Sequence, residues 1–284
     1  MKVFYKRKPQ ITSALSIVLF AALLLSLCPT RALSASPAQF DYSSYQQFLD
    51  RYVVQGKSIG GIKLSVIDYE SIQRDRKKPN SLYERILKQL ATFDPRTLRD
   101  TQEQKAFWIN TYNIGAIKMI VDYYPVDSIR SRKINWFRNP WALKILTIGN
   151  ETYSLGQIEH EILIGNYQDP LIHFAIVCAS VSCPDLNPQV YRGDRLQRQL
   201  ERRARHFLLN RKKGLRIRKE QDEVFFSQIF RFDEKSFANG AKDAVPLIVR
   251  FIDDNEDREY VHTGNYKIRY LDYNWDLNTL KNSR

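Results

Sequence analysis

The side chains able to carry chemistry crowd into one stretch: Glu159, His160, Asp169, His173, Cys178, Ser182 and Cys183 fall within 25 consecutive positions, 159–183. Within it, IHFAIVCASVSCPDLNP (Ile172 to Pro188) holds two of the three cysteines and one of the four histidines. A thiol nucleophile is one reading. Cys183 lies in a short loop after an apolar run, where a rigid scaffold presents a side chain at a surface. A nearby imidazole would lower its pKa and take its proton, and a third group would orient that imidazole. His160 is the candidate base, with Glu159 or Asp169 as its orienter and His173 as the other imidazole.

Other readings of the cysteines stand beside it. Five residues apart in an exported domain, they could close a disulfide if the turn meets a Cα separation of ~4.4–6.8 Å. They could equally be two buried free thiols acting as small hydrophobes. Together with His160 and His173 they supply zinc-ligand types, but without the short Cys and His pairs of common structural sites. We therefore expect no metal and no cofactor. The chain has no Gly-rich phosphate loop, no Gly-x-Ser-x-Gly elbow and no His-Glu-x-x-His.

Compartment and charge bound the choice. MKVFYKRKPQ carries four cations and no acid, an apolar run of about fifteen residues follows (Ala14 to Cys28), and ALSAS supplies small residues for cleavage. The run is shorter than the ~20 residues of a spanning helix, so residues 1–34 read as a cleaved signal of an exported, periplasmic or secreted protein, with an uncleaved anchor as the alternative. They hold five Lys/Arg and no acid, and losing them lowers the net charge from +13 to +8. No basic run is interleaved with aromatics, which argues against a nucleic-acid groove. What remains expected is a small or peptide-like ligand, contact with membrane only through the signal segment, and a monomer.

The elements that must position these residues are mixed. Residues 35–60 read as a helical lead-in and 61–284 as one domain, of a size one core can serve. Helices are expected over Tyr45 to Val54 and Ser81 to Ala91, and a strand or extended lead from Gly61. TQEQKAFWINTYNIGAIKMIVDYYP reads as a buried central helix, apolar almost all round, opened by a Thr101/Gln104 capping box and stopped by Pro125. Asn110 and Asn113 share one face of it. Two amides in such a place either brace the core or floor a polar site, since an unpartnered one costs about 1–3 kcal/mol.

ILTIGNETYSL reads as a hairpin around Gly149-Asn150. Ser154 and Gln157 cap a helix carrying Glu159 and His160, IHFAIVC reads as a buried strand, and Asp194 opens an arginine-rich amphipathic helix with a solvated face. LRIRK and EVFFSQIF pair as strands, Val245 to Ile252 reads as a helix and YKIRYLDYN as a last strand. The fold class is α+β. His206 and His262 read as surface residues. Trp136 and Trp141 of WFRNPW read as core, with a groove lining as the alternative.

AFWINTYNIGAI (Ala106 to Ile117), TYSLGQIEHEIL (Thr152 to Leu163), HFAIVCASVSCPDL (His173 to Leu186) and YLDYNWDLN (Tyr270 to Asn278) together resemble the domain-of-unknown-function family numbered 547, from about Gly61 to Asn278. The resemblance implies a single α+β domain, in many members exported, whose biochemical role is not settled. Its matching polar positions are Asn110, Asn113, Glu159, His160, His173 and the Ser180-Val181-Ser182-Cys183-Pro184 loop. Relatives lacking a cysteine at Cys183 point instead to Asn110, His160, His173 and Ser182 as the shared set.

The expected site is a polar pocket between the Asn110/Asn113 helix, the Glu159-His160 helix and the Ser182-Cys183 loop. The expected chemistry is a hydrolase or acyltransferase acting on amide or peptide-like bonds. Cys183 would attack, His160 act as base, Glu159 or Asp169 orient it and the Asn110 amide hold the oxyanion, while Asn113, His173 and Ser182 bind. The rivals are a non-catalytic module for an envelope ligand or a partner protein, stapled by a Cys178–Cys183 disulfide, and an envelope protein whose positive surface meets acidic polymers.

Overall fold

The buried face of each helix fixes its neighbours. A computed structural model describes residues 39–233, 236–237 and 240–284. The signal expected in residues 1–34 lies outside the described residues, as do the first residues of the lead-in. Helix α1 (Ser43–Tyr52) leads into the antiparallel pair β1 (Val53–Ile59) and β2 (Ile62–Ile67). Helices α2 (Tyr69–Asp75) and α3 (Leu82–Thr92) follow, with N-caps from Asp68 and Ser81. Strand β1 escapes the sequence reading because VVQGKSI is half exposed and polar, with only Ile59 buried.

Helix α4 (Thr101–Tyr123) is the axis of the molecule, buried on every face from Lys105 through Ile117. Each large apolar side chain so buried contributes about 1.5–3 kcal/mol. Its cap is Asp100, whose carboxylate accepts from Glu103 N–H at 2.7 Å, and not the expected Thr101/Gln104 box. Gln104 instead donates to Leu98 O at 2.7 Å. Gly115 lets the hairpin of β3 (Lys144–Ile148) and β4 (Glu151–Ser154) sit directly on α4. A Cβ there would come within 2.6 Å of Leu146 and 2.8 Å of Leu155.

After β4 the expected capping box is present: Gln157 N–H donates to Ser154 Oγ at 3.1 Å, and Ser154 N–H to Gln157 Oε1 at 3.2 Å. The helix it opens is wound as π, Gln157–Ile164. The expected strand over IHFAIVC is not one. Asp169 caps a 3₁₀ turn, Pro170–Phe174, and the chain then runs irregularly. Asn113 explains how a buried, irregular backbone survives there. Its amide donates to Ala175 O at 3.0 Å and accepts from Val177 N–H at 2.9 Å, replacing the missing neighbour strand. Asn110 does the same for Tyr191, donating to its carbonyl at 2.8 Å and accepting from its N–H at 3.0 Å.

Helix α5 (Leu196–Leu208) carries the arginines, but Arg203 is buried and donates to Asp185 O at 2.7 Å rather than facing solvent. Asp185 also takes His206 Nε2 at 2.7 Å and the fully buried Lys213 Nζ at 2.6 Å. A three-stranded sheet, β5 (Leu215–Arg218), β6 (Glu223–Phe226) and β7 (Lys267–Tyr270), joins an antiparallel to a parallel pair. Helices α6 (Ala241–Ile248) and α7 (Asn255–Thr263) lie between β6 and β7 in sequence. The small, segregated sheets among helices make the fold α+β. All described residues fall in one unit of contacts.

Candidate functional site

The closing segment builds the cysteine loop. Val181 N–H donates to Asp276 O at 2.9 Å, Asn278 N–H to Ala179 O at 3.0 Å, and Ser180 bridges Leu277 antiparallel. Ala179 takes a left-handed backbone (φ 58), which costs an L-residue roughly 1–2 kcal/mol. Such strain persists only where surrounding contacts fix it. Here it turns Ser180 back towards the preceding cysteine.

Both Cys178 and Cys183 are free and buried. Cys178 Sγ lies 3.0 Å from Ser180 Oγ and 3.3 Å from the Tyr273 hydroxyl. Ser180 Oγ and the Tyr273 hydroxyl are themselves 3.1 Å apart. Cys178 N–H donates to Cys183 Sγ at 3.0 Å. The Cys183 thiol, Ser180 and Tyr273 hold Cys178 down at about 7, against the opposing effect of burial. Burial pushes the Cys183 thiol well above its ordinary value, and its bond to Cys178 adds to this. Burial likewise keeps Tyr273 protonated, hence a donor. Both hydroxyls bond Cys178, which makes it a candidate thiolate beside the Cys183 that the sequence pointed to.

These sulfurs line a pocket of about 430 Å³ with Glu159, His160, His173, Tyr112, Trp141 and Trp275 among its walls. The π winding turns the chain less per residue than an α-helix does, so the adjacent Glu159 and His160 both reach it; single π segments recur at functional sites. Trp141 Nε1 donates to the Tyr112 hydroxyl at 3.0 Å, which donates to Glu159 Oε2 at 2.7 Å. Burial raises Glu159 to about 7, although Tyr112 and His160 oppose it. His160 Nδ1 is buried without a hydrogen-bond partner among the described residues. His173 Nε2 lies 3.1 Å from Asp233 Oδ2. Burial lowers the His173 pKa, with Asp233 pulling the other way.

The pocket thus gathers Cys183, His160, Glu159 and His173 of the expected set. Four others are engaged elsewhere. Asn110 and Asn113 bond backbone and do not line the pocket, so Asn110 is not placed as its oxyanion donor. Ser182 Oγ accepts from Asn274 N–H at 2.9 Å. Asp169 pairs with buried Lys105 at 2.8 Å and caps Leu171, so it does not orient His160. Among the described residues no group of three His, Cys, Asp or Glu is placed to hold a metal.

A family model described as "Protein of unknown function, DUF547" matches residues 95–208. Those residues match a DUF547 domain. No curated protein and no solved structure matches it. The DUF547 segment supplies Tyr112, Trp141, Glu159, His160, His173 and both cysteines, while Asp233, Tyr273 and Trp275 come from beyond it. Tyr112 and Tyr273 were missed as functional groups, though each lies inside a quoted phrase, FWINTYN or YLDYN. Asp233 carries no such signal in the sequence.

Proposed function

We propose that the pocket of this DUF547 domain performs thiol-dependent acyl transfer or hydrolysis on amide or peptide-like bonds, with Cys178 as nucleophile. The observation that carries the reading is the Cys178 sulfur, which lines the pocket and lies within hydrogen-bond distance of the Ser180 and Tyr273 hydroxyls. A thiol at about 7 is roughly half thiolate at neutral pH. The thiolate attacks the carbonyl carbon and forms a thioester as the amine leaves. The departing nitrogen needs a proton, for which Glu159, roughly half protonated near pH 7, and His160 are the groups in the pocket. Water or a second nucleophile then takes the acyl group and frees the sulfur. The signal-like pattern of residues 1–34 supports placing this chemistry outside the cytoplasm.

The test is capture of the thioester. The protein is incubated with a panel of activated esters and peptide amides, quenched in acid and read by peptide mass. Acylation of the Cys178 peptide, lost in Cys178→Ser, supports the proposal; acylation confined to Cys183, or turnover retained in Cys178→Ser, defeats it. One observation favours the second reading, a binding module. Among the described residues neither sulfur receives a hydrogen bond from a histidine. In that case ligand binding persists in Cys178→Ser and no acyl adduct forms.

A further inference from the structure

The loop between α4 and β3 is anchored at its base and pushed outward at its tip. Ile129, Ile134 and Pro140 are buried. Between them Arg138 N–H donates to Asn135 O at 2.9 Å and Asn139 N–H to Asn135 Oδ1 at 3.1 Å. Arg138 turns in the left-handed region (φ 56). This turn leaves Trp136 71% and Phe137 87% exposed, the two most exposed large apolar side chains among the described residues. The expectation that Trp136 is core therefore fails, because the turn aims it away from the body. From Ser128 to Trp141 the loop carries Arg130, Arg132, Lys133 and Arg138 and no acid. The Arg132 guanidinium lies 5.3 Å from the centre of the Trp136 ring.

We propose that this loop docks the protein on an anionic membrane surface, with Trp136 and Phe137 in the headgroup layer and Arg130, Arg132 and Lys133 against lipid phosphates. Tryptophan favours that layer because its ring is apolar and its N–H is wet. Basic residues beside it are drawn to anionic lipid over about a Debye length. A protein partner fits less well: a stable interface buries about 800 Å² a side, and two side chains on a narrow tip do not offer it. A second copy would bring two clusters of cations together. Arg130 also lines the pocket, but Trp136, Phe137, Arg132 and Lys133 do not, so variants at these four test docking apart from the thiol chemistry.

The full chain is mixed with vesicles of phosphatidylcholine alone, or with an equal share of phosphatidylglycerol, each doped with a brominated lipid that quenches nearby tryptophan. The readout is the quench that Trp136→Phe removes, which reports this loop and not the apolar run Ala14 to Cys28. We expect that quench on anionic vesicles and little on neutral ones. Arg132→Gln with Lys133→Gln should weaken it about fivefold per charge, and Phe137→Ser should weaken it as well. The proposal would be overturned by no quench assignable to Trp136, by an equal quench on neutral vesicles, or by indifference to the charge variants. A concentration-dependent dimer abolished by Phe137→Ser would overturn it in favour of self-association.

Discussion

At the scale of single residues, the sulfur of Cys178 is surrounded by hydrogen-bond donors, and a thiolate needs donors more than it needs a base. The alkylation rate of Cys178 should rise with a midpoint near pH 7, while Cys183 stays slow until well into the alkaline range. Tyr273→Phe and Cys183→Ala each remove a donor and should move the Cys178 midpoint towards the ordinary value of about 8.5. Peptide-resolved mass spectrometry across pH measures both, and a fast Cys183 with a slow Cys178 would refute the assignment. The sequence could not rank the two sulfurs, because the hydroxyl bonded to Cys178, that of Tyr273, stands 95 positions away. Glu159 gives an independent check through stability. Its folded pKa of about 7 lies above the unfolded carboxylate value, so the folded state binds the extra proton and stability falls as pH rises from about 4.5 to 7. Glu159→Gln should flatten the Tm profile over that window and raise Tm above it. Tyr112, His160, Asp233 and Cys178 are the groups that Glu159 senses.

At the scale of elements, side-chain amides do work that a sheet would otherwise do. Asn113→Ala strands Ala175 O and Val177 N–H in the interior beside α4. With two buried groups unpaired at about 1–3 kcal/mol each, the loss should be about 2–6 kcal/mol. Urea denaturation measures it. A variant that stays stable but loses activity would instead make Asn113 a site residue. The same bonds explain what was legible. Helices α1, α3, α4 and α5, the β3–β4 hairpin and the Ser154/Gln157 box followed from local periodicity and spacing, and the structure has them; the short helices α2 and α7 did not follow. The stretch IHFAIVC looked like a buried strand because a strand is the usual way to satisfy buried backbone. No local pattern announces that an asparagine from another helix satisfies it instead. The π winding of Gln157–Ile164 was hidden for a related reason: its apolar spacing fits an α-helix equally well.

At the scale of the whole molecule, the matched family segment and the chemical site have different boundaries. Residues 95–208 hold both cysteines, yet the bonds that shape their loop come from Asn274, Asp276 and Asn278, and the buried Lys213 donates to Cys183 O at 3.0 Å and to Asp185 at 2.6 Å. The quoted phrase YLDYNWDLN made the closing segment visible in the sequence. It did not show that this segment pairs with the cysteine loop, since pairing is a property of folded distance. A fragment of residues 95–208 should therefore lack the site even though it contains the family match. It loses the partners of Ser180, Ser182 and Cys183 together, and it uncovers the faces of α4 and α5 that the flanking elements bury. Without Tyr273 its Cys178 should titrate as an ordinary thiol, and its circular dichroism should show no cooperative thermal transition. A fragment that melts cooperatively and keeps a thiol near pH 7 would mean that the family segment alone sets the Cys178 environment, and the role given to Tyr273 would fall with it.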